Sequence, residues 1–297
     1  MSQKFKLCII HVWFGKWPEW VDLFFRSCAA NKSIDFLIFT DSELRESMVS
    51  ENIHIERVKL SDLLERLSVA VNLPQIVSHS AYKMCDFKLA FGLAFRDYLG
   101  SYTHWGVCDS DLVFGNLDNF IDKSVDIFST HKGFISGHFF YIRNTSFFNN
   151  SFKLIRGWRR AMLLPEYQGL EEGPWSNIFI PKSLKAKMMG AAFRFLRGKY
   201  KIVDAELFTT PHNGIPWADG TDQYPDHWIY EGGRLTAVKE EAVLEVPYIH
   251  FMNWKRGSKY LPNRYDRTLW DEADLTRCEA IWREKRIKID STGFTSI

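Results

Sequence analysis

The segment HWGVCDSDLVFGNLDNF, His104–Phe120, contains an apolar run that ends in two aspartates one residue apart. The apolar residues Trp105 to Cys108 predict a buried strand, and Asp109 and Asp111 follow it directly. Carboxylates beside a packed strand are costly unless a partner compensates them. The two aspartates are therefore candidate ligands for a cation, although a pair of solvated turn acids gives the same pattern.

Upstream of this segment, strand and helix patterns alternate. The runs KLCIIHVWF, Lys6–Phe14, and DFLIFTD, Asp35–Asp41, are typical of buried strands. Helices are predicted between strands, the longest over SAYKMCDFKLAFGLAFRDYLG, Ser80–Gly100. Such alternation is typical of a mostly parallel sheet flanked by helices, which binds ligands beyond the carboxyl ends of its strands. The sequence therefore predicts an α/β fold with the acidic pair at the ligand edge of the sheet.

The second half of the chain has a less regular pattern. The runs DIFSTH and GHFFYIRN predict strands, SFKLIRGWRRAMLL (Ser151–Leu164) a helix, and AVLEVPYIHF (Ala242–Phe251) a late strand. No internal repeat or low-complexity linker separates the two halves. We therefore expect one continuous domain with halves 1–145 and 146–297.

Composition bounds the class of protein and its partners. Of 297 residues, 46% are hydrophobic, which is enough for a sizeable core, and the net charge of +2 gives no reason to expect nucleic acid. The five cysteines are scattered without metal-ligand spacing, as in buried thiols of a reducing compartment. The apolar run near the first residue is too short to span a membrane, so we expect a cytoplasmic protein.

The segment YIHFMNWKR, Tyr248–Arg256, supplies further candidate ligands. His250 ends the late strand and Lys255 follows in a short loop. Two carboxylates with an imidazole suit Mn²⁺ better than Mg²⁺, and a lysine suits phosphate oxygens. We therefore expect Asp109, Asp111 and His250 to share a divalent cation, which would offset the charge of a departing diphosphate. A histidine that makes only a structural hydrogen bond is the alternative.

Four segments together carry a resemblance to a known group of enzymes. In chain order they are HVWFGKWPEWVDLFFRSCAANKSIDFLIFTD, YKMCDFKLAFG, GVCDSDLVFGNL and YIHFMNWKR. The chain resembles the bacterial DxD glycosyltransferases of the GT-A fold, in particular polysaccharide-locus enzymes with K-x-C-D-F-K and C-D-x-D patterns. It is more distantly similar to the lipopolysaccharide galactosyltransferase and glycogenin families. The resemblance covers residues 1 to about 145 and returns at 248–256. Lys255 is not followed by the Pro-Trp of the more distant families' late motif.

The resemblance implies a metal-dependent glycosyltransferase with a GT-A-like fold. Such an enzyme moves a sugar from a nucleotide-sugar donor, with UDP favoured, to a glycan or lipid-linked acceptor in bacterial surface polysaccharide synthesis. Residues 1–145 then form the nucleotide-sugar-binding half. Residues 146–297 form the acceptor-side half with the late metal and phosphate loop.

The resemblance also assigns individual residues to the donor. It implies that Asp109, Asp111 and His250 bind Mn²⁺ or Mg²⁺. It places a further set against the nucleotide or the donor sugar: Phe14, Gly15, Asp41, Lys83, Asp86, Gly137, His138 and Lys255. From their spacing alone, a surface charge ladder explains Lys83 and Asp86 equally well, and a turn explains Asp41.

Acidic residues of the second half are candidates for the acceptor side. An inverting transferase needs a base for the acceptor hydroxyl, and Glu171 and Glu172 in YQGLEEGPW or Asp219 and Asp222 in WADGTDQYPDHW suit that role. Glu172 and Asp222 are our candidate catalytic acids. An ordinary exposed loop explains each acid as well, and both retention and inversion stay open.

The segment Lys182–Lys201, KSLKAKMMGAAFRFLRGKYK, carries seven basic residues and no acid. Basic amphipathic helices dock on anionic membrane surfaces, which predicts peripheral contact with the inner face of a membrane. A basic helix with solvated charges is the alternative.

Two other classes of protein remain open on the sequence. A sugar nucleotidyltransferase also carries acids on an α/β sheet, but HVWFGKWPEW lacks the Gly-rich basic loop that such an enzyme needs. A catalytically silent carbohydrate-binding protein would use the aromatic residues, 15% of the chain, to bind glycan. Turnover of a nucleotide sugar separates this last class from the enzymes.

Overall fold

The computed structural model describes residues 4–78, 80–181, 198–254, 281–290 and 293–297. Fourteen strands are found in these parts of the chain. In chain order they are β1 (Leu7–Trp13), β2 (Ile34–Thr40), β3 (Ile53–Arg57), β4 (His104–Cys108), β5 (Leu112–Phe114), β6 (Ile127–Ser129), β7 (Phe139–Arg143), β8 (Ile202–Asp204), β9 (His227–Glu231), β10 (Arg234–Lys239), β11 (Ala242–Glu245), β12 (Tyr248–His250), β13 (Arg286–Asp290) and β14 (Gly293–Ser296).

Seven of these strands form a central sheet in the order β3-β2-β1-β4-β7-β6-β8. Strands β3, β2, β1 and β4 are parallel, β7 is antiparallel to both of its neighbours, and β8 is parallel to β6. Leu7 of β1 is in register with both Ile34 and His104, so these three strands start level. The predicted α/β class with a large, mostly parallel sheet is confirmed.

Helices cover both faces of this sheet. On one face α1 (Val21–Ala30) packs Phe24 and Phe25 into a core that includes Ile9 of β1. On the other face α2 (Leu60–Val71) packs Leu67 into a core that includes Ile10. Because successive strand residues point to opposite faces, the uninterrupted apolar run of β1 serves both cores.

The long helix predicted over Ser80–Gly100 is instead a series of short turns. It comprises a 3₁₀ turn at Ala81–Lys83, α3 (Met84–Phe87), a 3₁₀ turn at Lys88–Ala90 and α4 (Phe91–Ala94). A regular α-helix would separate residues 83 and 88 by about 140° around its axis. Both lysines are buried, at 1% and 7% exposure. Because one regular helix with a single buried face cannot bury both, that prediction was wrong in its regularity.

Two other predicted elements are also interrupted. Over Ser151–Leu164 the chain forms a 3₁₀ turn, Ser151–Leu154, and a helix, Trp158–Leu163, which are separated by Gly157 at φ 80°. That left-handed conformation cannot continue a helix. Two further short helices, Ser146–Asn149 and Ser176–Phe179, flank this region.

The late apolar run contributes to two different sheets. Its first part, β11, is the edge of a five-stranded sheet with the order β11-β10-β9-β13-β14, while β12 pairs with β5 in a two-stranded sheet. Pro247 lies between β11 and β12 and has no N–H for a continuous ladder. The antiparallel pairing of β12 with β5 ties the late part of the chain to the strand that follows the acidic pair.

The structure also bears on the membrane prediction. Within the residues it describes, none of the helices has both the length and the apolar composition to cross a bilayer. Residues 182–197 of the basic segment lie outside the described parts, so its predicted membrane contact stays a prediction.

Candidate functional site

A cavity of about 500 Å³ lies at the carboxyl ends of β1 and β4. Its walls come from those two strand ends, the turns at 81–91, residues 137–138, residues 167–172 and the end of β12. This volume is typical of a small-molecule site. The cavity occupies the edge of the sheet at which the sequence predicts a ligand.

The two aspartates that follow β4 both line this cavity. The backbone N–H of Asp109 donates to the carbonyl of His138 at 2.9 Å, which extends the β4–β7 ladder by one bond. The carbonyl of Asp111 accepts from the backbone N–H of Phe251 at 3.2 Å. The side chain of Asp109 is 36% exposed and that of Asp111 only 7%. The turn between the aspartates thus presents one carboxylate at the cavity surface and the other deeper.

His250 meets Asp111 through the β12–β5 pairing. The register places His250 opposite Leu112, and its Nε2 lies 3.4 Å from Oδ2 of Asp111. The structure therefore brings together two of the three predicted metal ligands, from positions far apart in the sequence.

Asp109 is paired with a lysine. Oδ1 of Asp109 accepts from Nζ of Lys88 at 2.6 Å, and the same Nζ donates to the carbonyl of Gly137 at 2.9 Å. Burial lowers the pKa of Lys88, but Asp109, with Cys85 and Glu171, outweighs burial and holds that pKa well above its ordinary value. Lys88 is therefore a buried cation beside the acidic pair.

The donor set for a divalent cation is partly assembled. No group of three His, Cys, Asp or Glu side chains in the described ranges is arranged to hold a metal ion. Mg²⁺ is commonly held by one or two protein carboxylates, with phosphate oxygens and water as the remaining ligands. Asp111 fits that role, and His250 beside it adds an imidazole ligand that suits Mn²⁺. Asp109 uses Oδ1 for Lys88, so only its other oxygen would be offered to a cation. The three-ligand set stays a prediction.

A hydrogen-bonded chain lies behind His250. Oγ1 of Thr210 is 3.3 Å from Nδ1 of His250 and 3.4 Å from Nε2 of His131. Nδ1 of His131 is in turn 3.1 Å from Oε2 of Glu206. Such partners commonly orient metal-binding histidines. The chain thus restrains the ring of His250 with Nε2 toward Asp111.

His138, a predicted site residue, also lines the cavity and packs on this chain. Its ring stacks on that of His250 with centroids 3.9 Å apart, and its Nε2 is 2.8 Å from the hydroxyl of Tyr248. Burial, together with the neighbouring His250 and His131, lowers the pKa of His138 well below its ordinary value. His138 is therefore neutral at physiological pH and supports the side of the cavity that carries His250 and Asp111.

Glu171 is a buried carboxyl group in the opposite wall of the cavity. It is 3% exposed, and its Oε1 accepts from the hydroxyl of Tyr167 at 3.1 Å. Its Oε2 is buried and has no hydrogen-bond partner among the residues that the structure describes. Burial raises the pKa of Glu171 to about 7, while the nearby charge of Lys88 opposes that rise. Glu171 is thus a candidate for proton transfer near neutral pH.

Glu172, the predicted catalytic acid, is not buried like its neighbour Glu171. It is exposed at the cavity wall, and its Oε1 accepts from the backbone N–H of Gly137 at 2.8 Å. Gly137 faces the neighbouring glutamate so closely that a Cβ there would lie 2.8 Å from Cγ of Glu171. Gly137 therefore allows its segment to approach the segment of Glu171 and Glu172 closely, as the sequence suggested. Of these two glutamates, Glu171 is the buried one.

Lys83 and Asp86 lie outside the cavity lining, so their predicted contact with the donor stays a prediction. Their side chains are 0% exposed and form an ion pair of 2.7 Å. Nζ of Lys83 also donates to the carbonyls of Ala161 and Glu166, and Asp86 accepts from backbone N–H groups within 168–170. With their hydrogen bonds directed to 161–170, the two residues clamp that segment to the turns at 81–87.

The other predicted donor residues divide between the cavity and its surroundings. Phe14 lines the cavity, whereas Gly15 and Asp41 lie outside its lining. Oδ1 of Asp41 accepts from the backbone N–H of Gly15 at 2.8 Å, and Gly15 has φ 88°. These two residues therefore shape the loop after β1, and their predicted contact with the nucleotide stays a prediction.

Two remaining predictions fall elsewhere. Asp222 is exposed and lies outside the cavity lining, and its predicted catalytic role stays a prediction. Lys255 lies outside the described residues, and its phosphate contact stays a prediction.

Several cavity residues were missed by sequence reasoning. Lys88 stands in the same motif as Lys83, and its spacing gave no sign that only the second lysine faces the cavity. Besides the predicted Phe14, other aromatic side chains form much of the wall: Trp13, Trp20, Tyr82, Phe91 and Tyr167. Of these, Trp13 stands in the predicted strand Lys6–Phe14, whereas the high aromatic content of the chain, 15%, does not single out the others.

Comparison with known proteins gives one family match and weak structural similarities. The model of a family of unknown function, DUF6625, matches residues 9–276. No curated protein has significant sequence similarity to the chain.

Two solved structures illustrate the structural similarity. The apo form of glycosyltransferase GlyE from Streptococcus pneumoniae TIGR4 is 10% identical with a TM-score of 0.36, over 68% of this chain and 46% of that one. The apo form of mouse xyloside xylosyltransferase 1 is 8% identical with a TM-score of 0.36, over 83% of this chain and 97% of that one. The chain thus spans less than half the length of GlyE.

Proposed function

The chain belongs to the DUF6625 family of unknown function, and we propose that it is a glycosyltransferase. It would take a sugar from a nucleoside-diphosphate sugar, with UDP as the favoured nucleotide, and pass it to a glycan or lipid-linked acceptor. The observation that carries this proposal is the convergence of complementary groups in one cavity at the carboxyl edge of the sheet. They are Asp109, Asp111 and His250 on one side, with Lys88 between them and the buried Glu171.

The donor side follows from the cation-binding pair. Asp111 and His250 would hold Mn²⁺ or Mg²⁺, and when bound this ion neutralises negative charge on the departing diphosphate. The indole of Trp13 and the ring of Phe14 line the same cavity and offer apolar surface to a nucleotide base. The residue set therefore suits a ligand with both a flat ring and a diphosphate.

Lys88 positions Asp109 within this site. Because Nζ of Lys88 bonds both Asp109 and the carbonyl of Gly137, it fixes the carboxylate relative to the opposite wall. The exposed part of Asp109 then accepts a hydrogen bond from a hydroxyl group of the donor. A fixed carboxylate of this kind orients the sugar without a reorganisation step.

Glu171 supplies the base in this proposal. Its Oε2 takes the proton of an acceptor hydroxyl as that oxygen forms a bond to the anomeric carbon. The bond from the anomeric carbon to the diphosphate oxygen breaks, and the diphosphate leaves with the electron pair. The pKa of Glu171, about 7, suits a base that works near neutral pH. Direct attack of this kind inverts the anomeric configuration.

Nucleotide release tests the proposal. Purified protein is incubated with Mn²⁺ and UDP-galactose, UDP-glucose or UDP-N-acetylglucosamine, and free UDP is measured. We expect slow release by the wild type, a loss of at least about 100-fold in Asp111→Ala and wild-type release by Glu51→Gln, which changes an exposed acid outside the cavity. Release that is equal in all three proteins, or absent with UDP-, GDP-, CMP- and ADP-sugars alike, would contradict the proposal.

A further inference from the structure

Two tyrosines stand at the mouth of the cavity. The side chains of Tyr82 and Tyr167 are 62% and 36% exposed, and both line the cavity. Their rings meet edge to face, with centroids 4.9 Å apart and an interplanar angle of 67°. An exposed aromatic pair at a cavity mouth presents apolar surface to whatever enters.

The buried ion pair of Lys83 and Asp86, which clamps the 161–170 segment, holds these two tyrosines in place. Tyr82 lies in the turn Ala81–Lys83, whose last residue donates to carbonyls of the 161–170 segment that carries Tyr167. The backbone N–H of Tyr82 donates to Oγ of Ser80 at 3.1 Å, which caps the turn. The spacing of the two rings is thus set by buried ionic contacts beneath them, and it does not depend on a ligand.

A buried acceptor atom lies next to the pair. The hydroxyl of Tyr167 donates to Oε1 of Glu171, which leaves Oε2 buried in the cavity wall without a partner in the described part of the chain. An unsatisfied buried acceptor lowers the stability of the folded state, and a ligand that donates an O–H there removes that cost. This atom is a second, independent indication that a hydroxyl-bearing ligand binds beside the tyrosines.

We propose that Tyr82 and Tyr167 form the subsite for a neutral acceptor sugar. One C–H face of the sugar ring lies against Tyr82, and one hydroxyl donates to Oε2 of Glu171. The word "acceptor" rests on the proposed function, whereas the binding of a sugar ring does not. This subsite deepens that function because it names the chemical class that the acceptor side takes.

The local chemistry favours a neutral sugar over an anionic group. An aromatic face carries the negative end of a quadrupole and attracts the slightly positive C–H face of a sugar ring. Two carboxyl groups, those of Glu171 and Glu172, line the wall beside the tyrosines and repel phosphate or carboxylate groups when ionised. Lys88, the nearby cation, is engaged by Asp109 and Gly137. A lipid-linked acceptor would therefore place a sugar here and its phosphate elsewhere.

A glycan array tests the subsite without a donor. Fluorescently labelled wild type, Tyr82→Ala and Tyr82→Phe are applied to printed neutral and anionic glycans. We expect wild-type binding to a set of neutral glycans with a shared terminal sugar, a drop of about tenfold in Tyr82→Ala, and retention in Tyr82→Phe because the ring remains. Since Tyr82 is largely exposed, neither variant should unfold.

Nucleotide binding, measured separately as stabilisation by UDP and Mn²⁺, distinguishes this inference from the proposed function. Glycan binding that depends on Tyr82, without any effect of UDP, would keep the sugar subsite and refute the transferase. Stabilisation by UDP, with glycan binding absent, confined to anionic glycans or unchanged in Tyr82→Ala, would overturn the subsite and keep the donor side.

Discussion

Replacement of Glu171 by glutamine is expected to remove a pH dependence of stability. Burial raises the pKa of Glu171 from 4.5 to about 7 in the folded protein. Between these two values the folded state keeps a proton that the unfolded chain releases, so folded stability is greatest below pH 4.5 and falls as pH rises through 7. A shift of about 2.5 units at about 1.4 kcal/mol per unit predicts a loss of about 3 kcal/mol.

Urea denaturation at pH 5, 6, 7 and 8 measures this effect. The free energy of unfolding of the wild type, minus that of Glu171→Gln, should fall by about 2.5 kcal/mol between pH 5 and pH 8, because part of the loss has already occurred at pH 5. The glutamine amide can change the stability of the variant, but that change is the same at each pH. The exposed neighbour gives a matched control, because Glu172→Gln should keep most of the wild-type dependence.

Parallel pH profiles for wild type and Glu171→Gln would refute this reasoning, since they would show that burial does not shift the titration of Glu171. The same group also governs transfer in our proposal. The ionised form is the base, so kcat/KM for transfer should rise with pH through about 7 and reach a plateau above it.

Three further changes probe separate parts of the site. Lys83→Met leaves the buried Asp86 without its cation and should cost about 3–5 kcal/mol of unfolding free energy by urea denaturation, and a further Asp86→Leu change should recover much of it. His131→Gln breaks the hydrogen-bonded chain behind His250 and should lower the affinity for Mn²⁺ about 10–100-fold, as measured by calorimetric titration. An unchanged affinity would show that this chain does not orient His250. Gly137→Ala introduces a Cβ only 2.8 Å from the buried glutamate and should lower transfer, whereas Gly173→Ala, with open space around its Cβ, should match the wild type in the same assay.

The sequence predicted the half of the fold that local pattern determines. The apolar runs of β1, β2 and β4 are long and bounded, so period and composition were enough to place them and to put Asp109 and Asp111 at the ligand edge. The long helix was wrong in its regularity because Lys83 and Lys88 are both buried by partners that lie far away in sequence. Local propensity carries no information on such partners.

Which residues form the site also depends on contacts between residues that are far apart in the sequence. Lys83 and Lys88 share one motif, yet one clamps a loop and the other faces the acidic pair. Glu171 and Glu172 are neighbours in the π-helical turn Glu171–Trp175, and they differ in burial, since Glu171 is buried and Glu172 is exposed. His250 was a sound candidate ligand from its strand-end position, but its contact with Asp111 follows from the β12–β5 register.

Nucleotide-dependent stabilisation tests the central claim most directly. The melting temperature is measured with UDP, GDP, CMP and ADP, with and without Mn²⁺, for wild type and Asp111→Ala, each relative to its own ligand-free value. A ligand at about 100 times its Kd stabilises the folded state by about 2.7 kcal/mol. We predict that UDP raises the melting temperature only with Mn²⁺ and that Asp111→Ala abolishes the rise. A rise that persists in Asp111→Ala, or no rise with any nucleotide, would contradict a metal–diphosphate site at this edge of the sheet.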